Sequence, residues 1–173
     1  MKKTTADTKD VIERFRKPTD ELDEVLEQLR PDQLGEYYKE YAQNLADGRD
    51  FYHYFKAVLS SKRIFLKDVY SFAGVSESLG GQILRMEKHT PDRDLILRFC
   101  VAGHFTTEET NRALKLYGMP ELYGRNPRDA VIFVAINSRT YDLIEIDELL
   151  TQRGFSPLSK PDKEKGSIIN SMW

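Results

Sequence analysis

The chain has 173 residues with 26 basic and 28 acidic side chains, a size typical of one domain or of one domain with a small appendage. No run of apolar residues is long enough to span a bilayer, and the first residues are not followed by the apolar segment of a signal peptide. The single cysteine, Cys100, excludes an internal disulfide. We therefore expect a cytoplasmic protein that buries its core without disulfides, metal or cofactor.

The charge is unevenly distributed along the chain. Residues 1–50 carry 9 basic and 13 acidic side chains, residues 51–98 carry 8 and 5, and the remainder carries 9 and 10. A basic centre in a mildly acidic chain can bind nucleic acid locally, but the whole molecule would be a poor non-specific binder.

Apolar residues recur at helical spacing over most of the chain after residues 1–17, for which the pattern predicts no element. Pro18–Thr19 opens a first helix, whose predicted apolar face is Leu22, Val25, Leu26 and Leu29. Pro31 ends that helix, and a second helix with a tyrosine-rich face extends towards Gly48. A third helix begins at Asp50 and has an apolar stripe formed by Phe51, Tyr54, Phe55, Val58 and Leu59.

Residues 61–90 carry the pattern that points to function. A short helix over residues 66–73 ends at Gly74, which can adopt the left-handed conformation of a tight turn. Ser76 can cap a second helix, which we expect to extend over residues 76–88. Its outer face carries Ser78, Gln82 and Arg85. Two short helices joined in this way form the helix-turn-helix layout, in which the second helix enters the major groove of DNA.

An internal repeat organises the second half of the chain. Residues 107–119 and 143–155 share a glutamate, an Asn or Asp two residues later, and a glycine before a large apolar residue, at an offset of 36. Upstream, Arg93-Asp94 matches Arg128-Asp129 at an offset of 35. The repeat predicts two stacked helical hairpins over residues 92–158. It also assigns the apolar run 131–136 to a helix, although the composition of that run suits a buried strand as well.

The segment from Asp50 to Leu114 resembles the lambda-repressor-like helix-turn-helix domain of the Cro/C1, xenobiotic-response-element type. The matching segments are Val69–Ser76, Gln82–Arg85 and Pro91 ahead of a further helix. The longer stretch 50–158 is similar to a branch of these regulators common in gut Firmicutes, which carries an extra C-terminal pair of helices. The segments that match that branch are Glu108–Arg112, Leu122–Tyr123, Arg125–Asn126 and Arg128–Ile132.

Three positions depart from the family pattern. Leu66-Lys67 stands where the family has a Thr-Gln pair, so Lys67 would supply the phosphate contact as a point charge. Gly80-Gly81 lies inside the recognition helix at a cost of roughly 1 kcal/mol per glycine, which suggests either a close approach of the backbone or relaxed reading of DNA. Glu77 near the helix start repels phosphate while suiting the helix dipole.

The resemblance implies a sequence-specific DNA-binding transcriptional regulator that acts as a homodimer on a pseudo-palindromic site of double-stranded DNA, without catalysis or cofactor. Base contacts are expected from Ser78, Gln82 and Arg85. Phosphate contacts are expected from Lys62, Arg63, Lys67, Ser76, Lys88 and His89. The expected organisation is all-α, with an N-terminal helical segment for dimerisation or partner contact, the helix-turn-helix domain, an additional helical hairpin and a flexible tail, over residues 1–49, 50–122, 123–158 and 159–173.

Several alternatives stay open from the sequence. The chain could be a protein-interaction adaptor, or an antitoxin-like protein, that keeps this fold with weak or lost DNA reading, and Trp173 in the tail could then anchor a partner. Cys100 and His104 have the spacing of two metal ligands on one helix, but a buried cysteine and a surface histidine are the simpler interpretation. The tyrosines between residues 37 and 54 could stack on single-stranded nucleic acid, although a role in the core or a subunit interface is commoner.

Overall fold

The computed structural model describes residues 8–9, 11–12, 19–41 and 48–159. Within these residues no strand occurs, which confirms the predicted all-α class. The elements are α1 (Thr19–Gln28), a 3-10 turn (Pro31–Gln33), α2 (Leu34–Glu40), α3 (Asp50–Lys62), α4 (Leu66–Ala73), α5 (Glu77–Leu84), α6 (Arg93–Ala102), α7 (Thr107–Tyr117), α8 (Pro127–Asn137) and α9 (Leu143–Thr151). None of these helices is long and apolar enough to cross a bilayer. Residues 160–173 of the predicted tail, with Trp173, lie outside the described part of the chain.

The N-terminal helices follow the sequence pattern only in part. On α1, Leu26 is 41% exposed although it belongs to the predicted apolar face. On α2, Tyr37 is buried whereas its neighbour Tyr38 is 55% exposed, so the tyrosine-rich face is divided between interior and surface. This helix ends at Glu40, and residues 42–47, through which the sequence extends it towards Gly48, lie outside the described part of the chain.

Polar side chains mark the starts of the later helices. A side-chain oxygen of the residue before each helix accepts a backbone N–H of the first turn, as observed at Ser76, Asp92, Thr106, Asn126 and Asp142. Such caps satisfy N–H groups that the helix itself leaves without acceptors, and each contributes about 1 kcal/mol. The helix starts could therefore be predicted from the sequence.

Aromatic rings join α3, α4, α6 and α7 into one core. Phe51 of α3 meets Tyr117 of α7 edge-on, with ring centroids 4.8 Å apart. Phe99 of α6 lies between Phe55 of α3 and Tyr70 of α4, at centroid distances of 6.2 and 6.3 Å. Each buried aromatic side chain contributes roughly 1.5–3 kcal/mol of stability, so these contacts hold α4 firmly on α6.

The two repeat units have the same local conformation. Asn111 accepts the backbone N–H of Leu122 at 2.9 Å, and Asp147, 36 residues later, accepts that of Leu158 at 2.6 Å. Glycines at the repeat-equivalent ends of α7 and α9, Gly118 and Gly154, both adopt positive φ angles, 84° and 79°. The run 131–136 lies in α8, which confirms the helix prediction.

The repeated Arg-Asp dipeptides exchange ion pairs between the two units. Arg93 contacts Asp129 at 2.8 Å, and Arg128 contacts Asp94 at 2.9 Å. The two dipeptides thus link α6 to α8 through a reciprocal set of ion pairs.

A buried arginine connects the end of α4 to the residues that follow α9. Arg98 of α6 is 3% exposed and donates to the carbonyl of Ala73, at the end of α4, and to the carbonyl of Leu158, beyond α9. Burial lowers the pKa of Arg98, and the carboxylates of Asp92 and other nearby acidic residues oppose that shift. Arg98 thus ties α4 to the second repeat unit.

Candidate nucleic-acid interface

The turn between α4 and α5 has an ordered geometry. Gly74 adopts a φ angle of 73°, and the N–H of Val75 donates to the carbonyl of Tyr70 at 3.1 Å. The hydroxyl of Ser76 accepts the N–H of Leu79 at 3.1 Å and caps α5. A left-handed glycine followed by a capping serine fixes the angle at which α5 leaves α4.

The predicted extent of α5 is wrong at its C-terminal end. The helix ends at Leu84, and Met86 adopts a left-handed φ angle of 59°. The N–H groups of Glu87 and Lys88 both donate to the carbonyl of Gln82, which closes the last turn. Residues 85–88 therefore belong to a turn, although the apolar spacing of the sequence continues the helix through them.

The paired glycines have different surroundings, and both are buried. A Cβ atom on Gly80 would lie 2.4 Å from Cδ1 of Tyr70, so the missing side chain is what lets α5 approach α4. A Cβ atom on Gly81 would meet only the guanidinium of Arg85, at 2.9 Å. The sequence left two explanations for these glycines, and the contact with Tyr70 favours close backbone approach at Gly80.

The three residues expected to contact bases differ in exposure and in the hydrogen bonds that they already form. Ser78 is exposed and Gln82 half-exposed on α5. Arg85 forms two hydrogen bonds with the carboxylate of Glu87, at 2.8 and 3.2 Å. The hydrogen bond raises the pKa of Arg85 and lowers that of Glu87. The guanidinium is therefore oriented by Glu87 and lies over Gly81.

The expected phosphate contacts fall into two groups. Arg63, Lys67, Ser76 and Lys88 are exposed, and so is His89. The second group has partners inside the molecule: Lys62 contacts Glu109 at 2.8 Å and the carbonyl of His104 at 2.9 Å, and His89 stacks on the ring of Tyr117 at 4.9 Å. Lys62 and His89 thus help to hold α7 against the rest of the core.

Sequence reasoning missed a contact between a cation and an aromatic ring on α3. The ammonium of Lys56, on α3, lies 5.1 Å from the ring centroid of Tyr52. Burial raises the pKa of Tyr70, the neighbouring Tyr52 raises it further, and Arg85 lowers it, so these three side chains share one electrostatic environment. The spacing of four residues between Tyr52 and Lys56 on one helix was the signal that could have identified this pair.

The two candidate metal ligands, Cys100 and His104, differ in their exposure to solvent. Cys100 is fully buried, and burial raises the pKa of its thiol. His104 is exposed and its ring stacks on Tyr141, with centroids 4.6 Å apart. Among the residues with described positions, no group of three or more His, Cys, Asp and Glu side chains could hold a metal ion.

The arrangement around α5 presents polar side chains that can form hydrogen bonds, with cations before and after the helix. We compared the chain with protein-family models, curated proteins and solved structures and found no match. The geometry of α4, α5 and the turn between them is therefore the feature that points to a function.

Proposed function

We propose that the protein is a sequence-specific DNA-binding transcriptional regulator, with α4 and α5 as its helix-turn-helix and α5 as the helix that enters the major groove. The observation that carries this proposal is the left-handed turn at Gly74 with the cap at Ser76, which holds α5 against α4 and leaves Ser78 and Gln82 on the surface. An α-helix is about 10–12 Å across with its side chains, which suits the width of the major groove, about 12 Å.

Gln82 is the principal base reader in this proposal. Its side-chain amide can bond the N6 and N7 atoms of adenine at once, and a pairing of this kind contributes about 1–3 kcal/mol of discrimination. Ser78 adds a shorter contact one turn earlier. Arg85 can reach a guanine only after its guanidinium exchanges the carboxylate of Glu87 for the base.

Phosphate contacts come from the starts of the two helices. Arg63 and Lys67 flank the N-terminus of α4, and Ser76 lies at the N-terminus of α5. Helix N-termini and basic side chains attract phosphate, which sets the register of the protein on DNA without reading sequence. Lys88 contributes from the turn beyond α5, whereas Lys62 and His89 have structural roles.

The proposed mechanism is occupancy of a promoter by a homodimer on a pseudo-palindromic site, with no chemical step and no cofactor. The test is selection of bound sites from random duplex DNA at roughly 100 mM salt. The intact protein is compared with the double variant Gln82→Ala/Arg85→Ala and with the control Gln152→Ala/Arg153→Ala. The control changes the same two residue types at exposed positions beyond α9.

We expect the intact protein and the control to enrich the same motif and the double variant to lose it. Enrichment of nothing by a folded intact protein would contradict the proposal. Retention of the motif by the double variant would contradict the assignment of base reading to α5.

A protein-interaction adaptor, or an antitoxin-like protein that also binds a partner, is the second candidate. The observation that favours it is the apolar surface of the last hairpin, where Val134 is 61% and Ile144 70% exposed. Exposed apolar groups of this size mark interaction sites more often than neutral surface. This candidate predicts that a partner is lost when Val134 or Ile144 is replaced by Glu and kept in Gln82→Ala.

A further inference from the structure

Residues 156–159, which follow α9, are held by charged side chains of three helices. The carbonyls of the first two residues accept hydrogen bonds from Arg128 of α8, at 3.1 and 3.2 Å. The N–H groups of the last two donate to one carboxylate oxygen of Asp147 of α9, at 2.6 and 3.2 Å. The carbonyl of Leu158, whose side chain lies in the core, accepts from Arg98 of α6 at 2.9 Å. We call residues 156–159 the C-terminal strap.

Arg98 joins the C-terminal strap to the helix-turn-helix. While its Nη1 donates to the strap, its Nε donates to the carbonyl of Ala73 at 3.2 Å. Ala73 is buried, is the last residue of α4 and directly precedes the left-handed Gly74. A buried carbonyl without a donor costs free energy, so the end of α4 is favoured where the guanidinium can reach it.

The choice of arginine at this position is not a requirement of the repeat. At the offset of 35, the residue that corresponds to Arg98 is Phe133, so the same place on α8 carries an apolar side chain. A buried guanidinium loses its hydration, which makes it a poor residue for filling a core. What it supplies is a planar set of donors in fixed geometry, which can hold two carbonyls at one relative position.

The first repeat unit contains an equivalent segment, residues 120–122. Arg93 donates to the carbonyls of Pro120 and Glu121, and Asn111 accepts the N–H of Leu122. Among the residues whose positions are described, no hydrogen bond joins this segment to α4. The two units thus share one local structure, of which only the second copy is bonded through Arg98 to the turn.

We propose that Arg98 is a positioning residue for DNA reading, because it fixes the end of α4, and with it the Gly74 turn and α5, to the C-terminal strap. The second repeat unit then contributes to sequence discrimination through Arg98 without a base contact of its own. The consequence for DNA rests on the proposed function, whereas the coupling of strap and turn is a property of the free protein. The two are therefore tested separately.

The first experiment uses no DNA and measures hydrogen exchange of the Val75 amide, which donates across the turn, by NMR of the full chain. Asp147→Ala removes the acceptor of the two strap N–H groups, and Asn111→Ala removes the equivalent acceptor in the first unit. The free energy of unfolding of each variant, from urea titration, corrects for global opening. We expect exchange at Val75 to be roughly tenfold faster in Asp147→Ala than in Asn111→Ala, because a loosened strap loosens the turn. Equal corrected rates in the two variants would overturn the proposed coupling.

The second experiment compares the affinities for the selected duplex and for a scrambled duplex. Arg98→Lys keeps the charge, but its single ammonium lacks the fork that holds both carbonyls. We expect the ratio of the two affinities to fall about tenfold in Arg98→Lys, while binding to the scrambled duplex is retained. Asp147→Ala, at a half-buried position, is measured beside it and should lower the ratio in the same direction.

The control for a purely structural role is Asp129→Asn, which removes an ion pair between α6 and α8 and leaves the bonds of Arg98 in place. This variant should be less stable than the parent but should keep the parent's discrimination once folded. An equal loss of discrimination in Asp129→Asn and Arg98→Lys, or no loss in Arg98→Lys, would overturn the positioning role. A folded parent that does not distinguish the duplexes would contradict the proposed function, whereas the exchange at Val75 would still decide the coupling.

Discussion

Arg85 illustrates how a single residue can depart from the role that its position predicts. On a continuous helix, Arg85 and Glu87 would point to different sides, because residues two apart do not face each other. The helix ends at Leu84, and in the turn that follows the two side chains meet at 2.8 Å. In the proposed complex with DNA, Glu87 would compete with a base for the guanidinium and would bring a negative charge towards the phosphates.

Replacing Glu87 with Gln should strengthen DNA binding severalfold. The substitution frees the guanidinium and removes the repulsion of phosphate, while its shape is retained. Fluorescence anisotropy with a duplex carrying the selected site measures the effect. Glu145→Gln, which removes the same charge from α9, is the matched control and should leave the affinity unchanged. Equal gains in the two variants would mean that net charge alone is responsible.

Gly80 is a second residue whose role is set by a long-range contact. Gly80→Ala should destabilise the fold by about 1–3 kcal/mol, because the added methyl group meets the ring of Tyr70. The higher helix propensity of alanine offsets about 1 kcal/mol of that cost. Urea unfolding followed by circular dichroism measures the change.

Gly81→Ala is the matched control for this prediction, because its methyl group meets only the movable end of Arg85. We expect Gly81→Ala to be neutral or stabilising by up to about 1 kcal/mol. A Gly80→Ala variant as stable as Gly81→Ala would contradict the proposed close approach of α5 to α4.

At the scale of the elements, the sequence predicts helix starts better than helix ends. The cap predicted at Ser76 is a local signal, and α5 begins directly after it. The end of α5 could not be predicted, because Met86 continues the apolar spacing of Leu79 and Ile83 and yet adopts a left-handed conformation.

The ion pair between α6 and α8 provides a prediction at this scale. Burial raises the pKa of Asp129, but the hydrogen bonds from Arg93 and from the N–H of Tyr123 lower it by more. Asp129→Asn should therefore destabilise the protein by roughly 3 kcal/mol, because Arg93 loses its counter-charge in a half-buried site. Asp94→Asn is the matched control, in the reciprocal ion pair with Arg128. Because the side chain of Asp94 is 31% exposed, this substitution should destabilise the protein by only about 1 kcal/mol.

The same ion pair should give a defined pH dependence. A carboxylate whose pKa is lowered on folding adds stability above its unfolded pKa, and this stability is lost as the pH falls through the folded pKa. The stability difference between the parent and Asp129→Asn should thus be constant above about pH 4 and shrink below it. Unfolding at a series of pH values measures it, and a difference as large at pH 2 as at pH 7 would contradict this account.

At the scale of the whole molecule, the sequence reveals that two units are alike but not how they are arranged. The matched Arg-Asp dipeptides could equally belong to units stacked in line or to units facing each other. The structure shows that the two dipeptides pair with each other, Arg93 with Asp129 and Arg128 with Asp94. The hydrogen bonds of Arg98 could likewise not be predicted, because its partners are 25 and 60 residues away in sequence. Long-range polar contacts of this kind leave no periodic pattern in a single sequence.

The most direct test of DNA reading by α5 is the salt dependence of binding to the selected duplex and to a scrambled duplex. The parent should prefer the selected site. Gln82→Ala should weaken the free energy of binding to the selected site alone by about 1–3 kcal/mol. The slope of the logarithm of the binding constant against the logarithm of the salt concentration should stay unchanged. Lys67→Ala should weaken both duplexes and reduce the magnitude of the slope by about 1. If Gln82→Ala weakened both duplexes equally, or if the parent did not distinguish them, the claim that α5 reads base sequence would be contradicted.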